Sequence, residues 1–161
     1  MKQIQRPVVP WISWWIKELA MNVNELSGFV HSERIIQYHS YTTLKATDDE
    51  TPWCSAAMCA CFAECGLDHT KSAAAKSWAS YGLPLSAFVL GAIAVFERGG
   101  HVGAAHVAIA LAEDNGIVTV IGGNQKDAVS IENYPKSKLI AYRWPKGFDL
   151  LEYYKTFGAD S

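Results

Sequence analysis

The sequence has no excess of positive charge. Lys and Arg number 14 against 16 Asp and Glu, which gives a formal net charge of −2 and a pI near 6.2. Proteins that hold nucleic acid or anionic membranes through a broad basic surface usually carry a net positive charge. The counts of charged residues therefore imply no such surface, and we expect no nucleic-acid partner. They do not exclude a local basic patch.

A long apolar run is also missing. The N-terminal stretch MKQIQRPVVPWISWWIKELAMN is interrupted by Pro7, Pro10, Lys17 and Glu18, and no small-residue cleavage site follows it cleanly. All apolar runs are far shorter than the roughly 20 residues that a membrane-spanning helix needs. We therefore expect neither a signal peptide nor a membrane span. A protein of this kind would be made in the cytoplasm and would need other means to act outside it.

Internal repeats, low-complexity tracts and linkers are absent as well, which favours one domain over residues 1–161. Helical spacing dominates residues 1 to about 82, and alternating strand patterns occupy about 90 to 145. This order predicts an α+β fold with N-terminal helices and a C-terminal antiparallel sheet. The predicted helices are one that begins at Pro10, then Ser32–Tyr38, Trp53–Cys65 and Ser72–Tyr81. The predicted strands are Ala92–Glu97, His106–Ala112, Ile117–Gly122, Ala128–Ile131 and Leu139–Arg143.

All four cysteines lie on the third predicted helix, at positions 54, 59, 61 and 65, and no C-x-x-C spacing occurs. One continuous helix cannot wrap four ligands around an ion, so we predict neither a metal site nor a disulfide framework. Three of the cysteines are interpreted as packing residues. Cys54 differs because it falls in the first helical turn, where the helix dipole and free N–H groups favour a thiolate.

A reactive cysteine needs a base, and His106 is the preferred candidate. The segment HVAIALA alternates, which places His106 on a face of small residues against which the Cys54 helix is predicted to pack. The turn Asp114-Asn115-Gly116 predicts a hairpin after this strand. A three-residue loop would place Asn124 opposite His106, and a two-residue loop would place Gln125 there. Either amide could orient the imidazole.

Several motifs occur in an order typical of one enzyme family. They are TPWCSA, SAAAKSWASYG, GAIAVFERGG, HVAIALAEDNGIVTVIGGNQKDAVSI and YRWP. The chain resembles the NlpC/P60- and CHAP-like cysteine peptidases, particularly small peptidoglycan hydrolases with a W-C-[AS]-A…G-G-N-Q arrangement. The resemblance covers nearly the whole chain. It implies a papain-like fold and cleavage of an amide bond in peptidoglycan stem peptides, without a cofactor or metal.

Carried over by position, the resemblance makes Cys54 the nucleophile, His106 the base and Asn124 the third member. The family's G-H-V-G pattern occurs literally at His101, but the spacing to GGNQ favours His106. Candidate substrate contacts are Trp53, Trp78, Gln125 and Asp49, the last as a possible contact for a substrate amine.

Three classes of function remain in competition. The first is a bacteriolytic cysteine peptidase or amidase, either a phage endolysin or an antibacterial effector. An effector would imply delivery machinery and an immunity protein as partners. The second is a non-catalytic module that binds peptidoglycan or a partner on the same fold. The third is a thiol redox or metal protein, which the cysteine spacing disfavours.

Overall fold

The computed structural model describes residues 8–28, 30–99 and 104–157, so His101 lies outside the described residues. The α-helices are α1 (Pro10–Ala20), α2 (Glu33–His39), α3 (Cys54–Glu64) and α4 (Leu150–Phe157). The strands are β1 (Leu83–Leu85), β2 (Ile93–Glu97), β3 (Ala105–Asp114), β4 (Ile117–Gln125), β5 (Ala128–Pro135) and β6 (Leu139–Trp144). The predicted α+β class is confirmed.

The six strands form one antiparallel sheet in the order β1-β6-β2-β3-β4-β5. Alternate residues of its central strands enter two separate apolar clusters. Val107 and Ile109 of β3 join the cluster that contains the helices, which we call the helix-side core. Ala108 and Ala110 join a second cluster with Phe96 and Tyr142, which we call the far-side core. The sheet therefore separates two apolar cores, one on each face.

Helix α3 packs against β3 and β4 through the helix-side core. The prediction that it would pack against the small-residue face carrying His106 is therefore wrong. That face belongs to the far-side core, where Ala108 lies close to Gly122. Small residues on a strand permit a close neighbour, but here the neighbours are aromatic side chains of adjacent strands.

The N-terminal helices surround a buried carboxylate. Glu18 is 1% exposed and accepts hydrogen bonds from the Arg34 guanidinium and from the Tyr38 hydroxyl, whose Oη lies 2.9 Å from Glu18 Oε1. Arg34 also reaches Glu64 on α3, and its guanidinium stacks on the rings of Trp14 and Tyr38. This cluster ties α1, α2 and α3 together.

Several element boundaries differ from the sequence prediction. The predicted helix Ser72–Tyr81 is a short 3-10 helix, Ala75–Ser80, because the Ser72 carbonyl accepts the Ser55 hydroxyl instead of starting a helical ladder. Strand β5 extends to Pro135, while β1 and α4 were not predicted. In the described parts of the chain, no helix is both long and apolar enough to cross a bilayer.

Candidate active site

Cys54 is the first residue of α3, as its position in the sequence indicated. Trp53 occupies the N-cap position, so the helix begins one residue later than predicted, and no side chain caps it. Thr51 serves the preceding turn, where its backbone N–H and hydroxyl both donate to the Asp48 carboxylate. Cys54 therefore keeps the free N–H groups of a helix start beside its thiol.

The Cys54 thiol is buried, with 4% of the residue exposed. Burial raises its pKa above the ordinary value for cysteine. The backbone N–H of Val107, the charge of Arg98 and the N–H groups of Ser55 and Cys54 act in the opposite direction and favour the thiolate. At rest the group is a thiol, and the groups that would stabilise its ionised form are already in place.

Cys54 meets β3 where β3 and β4 separate. Paired residues run from Asp114↔Ile117 back to Ile109↔Ile121, with an irregularity between Ala110 and Ala112. Beyond this point β4 has a glycine at position 123, where a side chain would not fit because a Cβ there would lie 2.5 Å from the Trp53 ring. The N-terminus of α3 thus lies against the diverging end of the hairpin, and the Val107 N–H is available to the thiol.

The hairpin also decides which amide meets His106. The loop contains two residues, Asn115 and Gly116, and the irregularity later in β3 restores the register expected for a three-residue loop. Continued, that register would place Asn124 opposite His106. Asn124 instead has a left-handed backbone with φ 55°, and the pairing of β4 with β5 is interrupted between Gly122 and Gln125. The side chain that reaches His106 is therefore Gln125, which corrects the prediction of Asn124.

His106 is held in one tautomer. Its Nε2 lies 2.8 Å from Gln125 Oε1, and Gln125 Nε2 donates to the Ser130 carbonyl oxygen at 2.7 Å. Because the amide nitrogen is committed to Ser130, the amide oxygen faces the ring and His106 Nε2 carries the hydrogen. His106 Nδ1 is buried and has no hydrogen-bond partner in the described chain. The ring thus presents one free basic nitrogen.

Aromatic residues enclose the His106 ring. Tyr134 of β5 lies 5.2 Å from it between ring centroids, and Phe96 of β2, the cross-strand partner of His106, stacks on Tyr134 at 5.0 Å. Burial lowers the pKa of His106 to about 4, with the Gln125 contact acting in the opposite direction. The imidazole is therefore neutral, and able to accept a proton, at any pH well above 4.

This burial predicts a loss of stability in acid. Because the pKa of His106 is about 4 in the folded protein and near 6.5 when unfolded, the unfolded chain binds the extra proton first as the pH falls. We expect the free energy of unfolding to drop by roughly 3 kcal/mol from this group between about pH 7 and about pH 4. Urea denaturation of wild type and His106→Asn measures it. His39, buried with a lowered pKa, adds to the slope in both proteins. Equal slopes would contradict the prediction.

Two predicted substrate contacts are core residues. Trp53 is fully buried between Gly123, Tyr38 and α3, and its Nε1 donates to Glu25 Oε1 at 2.9 Å. Trp78 is also fully buried, and its Nε1 donates to the Ser55 hydroxyl. Neither ring has a surface that a ligand could contact in this conformation. Both tryptophans therefore serve to pack the core.

Asp49 is a structural carboxylate. It is fully buried and accepts hydrogen bonds from the backbone N–H groups of Leu26 and Ser32, both at 2.8 Å, while its Oδ1 contacts His31 Nδ1 at 3.1 Å. Burial works to raise its pKa, but these contacts outweigh burial and hold the pKa below the ordinary value. Asp49 joins the residues before α2 to the segment before Cys54 and does not present its carboxylate to a substrate amine.

Two residues near the site escaped the sequence analysis. Tyr134 covers the His106 ring, and the positive charge of Arg98 acts with burial to lower the pKa of His106 and against burial at Cys54. The alternation of β5, continued past Ile131, was the available signal for Tyr134. No pattern in the sequence indicated Arg98, because the pairing of β2 with β3 is visible only in the structure.

The other cysteines pack or contact nearby polar groups. Cys59 and Cys61 are buried, with contacts from their thiols to the Ser72 and Trp11 carbonyl oxygens, and Cys65 is half-buried. All four thiols are free. Within the described ranges, no three His, Cys, Asp or Glu side chains converge as a metal ligand set.

Comparisons of the chain with protein-family models, with curated proteins and with solved structures find no match. The function is therefore inferred from the arrangement of Cys54, His106 and Gln125.

Proposed function

We propose that the protein is a thiol-dependent amide hydrolase of the papain-like type and that it cleaves peptidoglycan stem peptides. The observation that carries the proposal is the His106 ring, which Gln125 orients through Nε2 and whose Nδ1 has no partner in the described chain. His106 directly precedes Val107, whose backbone N–H contacts the Cys54 thiol. Cysteine hydrolases need a nucleophile, a base and a group that fixes the base. The choice of peptidoglycan as the substrate is based on the resemblance of the sequence motifs to those of the NlpC/P60- and CHAP-like family.

The chemistry begins with a proton transfer. His106 Nδ1 accepts the proton of the Cys54 thiol as Sγ attacks the scissile carbonyl carbon. In this scheme the Cys54 backbone N–H at the helix start donates to the oxyanion. The imidazolium then gives its proton to the leaving amine, and the C–N bond breaks to leave a thioester. Water, deprotonated by Nδ1, releases the carboxylic acid and regenerates the thiol.

The protonation states favour a general-base route. Burial keeps Cys54 as a thiol and His106 as a neutral imidazole, so no thiolate–imidazolium pair exists at rest. A bound substrate that brings the thiol and Nδ1 into hydrogen-bond distance would start the reaction, as apo catalytic contacts often tighten only in the complex. Gln125 stabilises the imidazolium through the Nε2 hydrogen bond while Nδ1 holds the proton.

The test is digestion of purified peptidoglycan, with the soluble fragments read by mass spectrometry. We expect fragments that end in a new amine and a new carboxylate, and we expect pre-treatment with iodoacetamide to abolish their release. Cys65→Ala, which lacks the half-buried thiol at the other end of α3, is the matched control and should lose activity on the same treatment. Cleavage of glycan bonds, or activity that survives a blocked Cys54, would overturn the proposal in favour of another activity or a binding module.

A further inference from the structure

Arg98 lies on the same face of the sheet as His106. Phe96 pairs with His106, and the Arg98 backbone N–H donates to the Ala104 carbonyl at 2.9 Å, which extends the pairing past the end of β2. Successive residues of a strand alternate between faces, so Arg98 shares the face of Phe96 and His106. Glu97 alternates to the other face and lines a pocket with Lys76, Ala104 and Ile140.

The charge of Arg98 influences the pKa of three titratable groups at the candidate site. Burial has the largest influence on the pKa of Cys54, His106 and Tyr134, and the positive charge of Arg98 lowers the pKa of all three. The strand geometry agrees with this influence, because Arg98 lies two residues from Phe96, the cross-strand partner of His106, on the same face. Arg98 is therefore a neighbour of the candidate base.

Arg98 has no internal counter-ion. The side chain is exposed, and among the described residues no carboxylate comes within salt-bridge distance of it. The acidic side chain on the neighbouring part of this face, Glu132, is committed to Ser130 and Lys126. An unpaired guanidinium offers several donors in a fork that fits a carboxylate.

We propose that Arg98 binds a free carboxylate of the substrate and so selects acidic peptides whose carboxylate lies near the scissile amide. The inference deepens the proposed function and assumes that Cys54 attacks that amide. Arg98 is a specificity determinant in this scheme, and the bond chemistry remains with Cys54 and His106.

A first experiment needs no peptidoglycan. Iodoacetate and iodoacetamide alkylate the same thiol and differ in a carboxylate, so the ratio of their rates at Cys54, located by peptide mass mapping, reports carboxylate binding. We expect Arg98→Gln to lower the ratio of iodoacetate to iodoacetamide rates about tenfold, from the loss of one charged hydrogen-bonding partner. Arg98→Lys should keep most of the ratio. The matched control is Lys76→Gln, which removes one positive charge from an exposed lysine of the 3-10 helix and should leave the ratio unchanged.

An equal slowing of both reagents in Arg98→Gln would mean that Arg98 acts on the thiol alone, and the proposal would fail. An unchanged ratio would overturn it as well.

A second experiment uses synthetic stem peptides in which each carboxylate in turn is replaced by a carboxamide. Wild type should prefer the free acid at one position about tenfold in kcat/KM, and Arg98→Gln should cleave the two forms of that peptide equally. Retention of the preference in Arg98→Gln would contradict the inference. If wild type cleaves none of the peptides or peptidoglycan, the proposed function fails, and the alkylation ratio still decides whether Arg98 binds carboxylates.

Discussion

Cys54→Ala and His106→Ala are each expected to lower the rate of peptidoglycan cleavage by at least about a thousandfold. Without the thiol no acyl-enzyme forms, and without the imidazole neither the thiol proton nor the leaving amine has a partner. Removal of either member of a nucleophile–base pair costs nearly as much as removal of both, so the double variant should be no slower than the singles. Release of soluble peptides, measured over hours with concentrated enzyme, gives the residual rates.

Gln125 and Asn124 distinguish the observed orienting group from the one that the sequence favoured. Gln125→Ala should slow cleavage through loss of the hydrogen bond that holds the His106 ring. Asn124→Gly, which suits the left-handed backbone at that position, should retain nearly the wild-type rate. Full activity of Gln125→Ala together with loss in Asn124→Gly would show that the working enzyme uses a different arrangement. Full activity of Cys54→Ala would refute the mechanism.

Glu18→Ala is expected to cause a large loss of stability, about 3–5 kcal/mol in the free energy of unfolding. The change leaves the Arg34 guanidinium without the buried partner that its Nε contacts, and leaves the buried Tyr38 hydroxyl without its acceptor. Arg34 retains Glu64 and is 26% exposed, so the lower end of the range applies. This loss is a large share of the stability of an ordinary domain.

Urea denaturation at neutral pH measures the effect. Lys17→Ala, on the exposed side of α1 one residue away, is the control and should change stability by less than about 0.5 kcal/mol. Glu18→Gln keeps an acceptor for Tyr38 but not the charge, so it should fall between wild type and Glu18→Ala. If Glu18→Ala unfolds at the same urea concentration as wild type, the cluster does not tie the three helices together.

The sequence was sufficient for the elements with strong local signals. The helix with the four cysteines begins at the proposed nucleophile because proline and glycine bracket it, and the Asn115-Gly116 turn accurately predicts the β3–β4 hairpin. The alternation in HVAIALA also correctly separates the two faces of β3. These features depend on residues within a few positions of each other.

The predictions that were wrong depended on contacts between residues far apart in the sequence. Which face of β3 would receive α3 depended on aromatic residues of β2 and β5, which fill the space beside the small side chains. The choice between Asn124 and Gln125 depended on one irregularity in β3 and another in β4 that shift the register in sequence. Neither is encoded by the alternation of one strand. Trp53 and Trp78 are predicted as substrate contacts because aromatic residues serve both packing and recognition.

Cys54 belongs to the helix-side core and His106 lies on the face of the far-side core, and the thiol reaches the backbone of β3 next to His106 where β3 and β4 separate. The alignment of the Cys54 thiol with the His106 ring therefore depends on how the two cores, which pack independently, are positioned on the sheet that they share. A change of side-chain volume deep in either core would tilt one reacting group against the other without touching it. Variants that merely improve packing should accordingly alter turnover as well as stability, and paired changes on opposite sides of the sheet should be able to restore it.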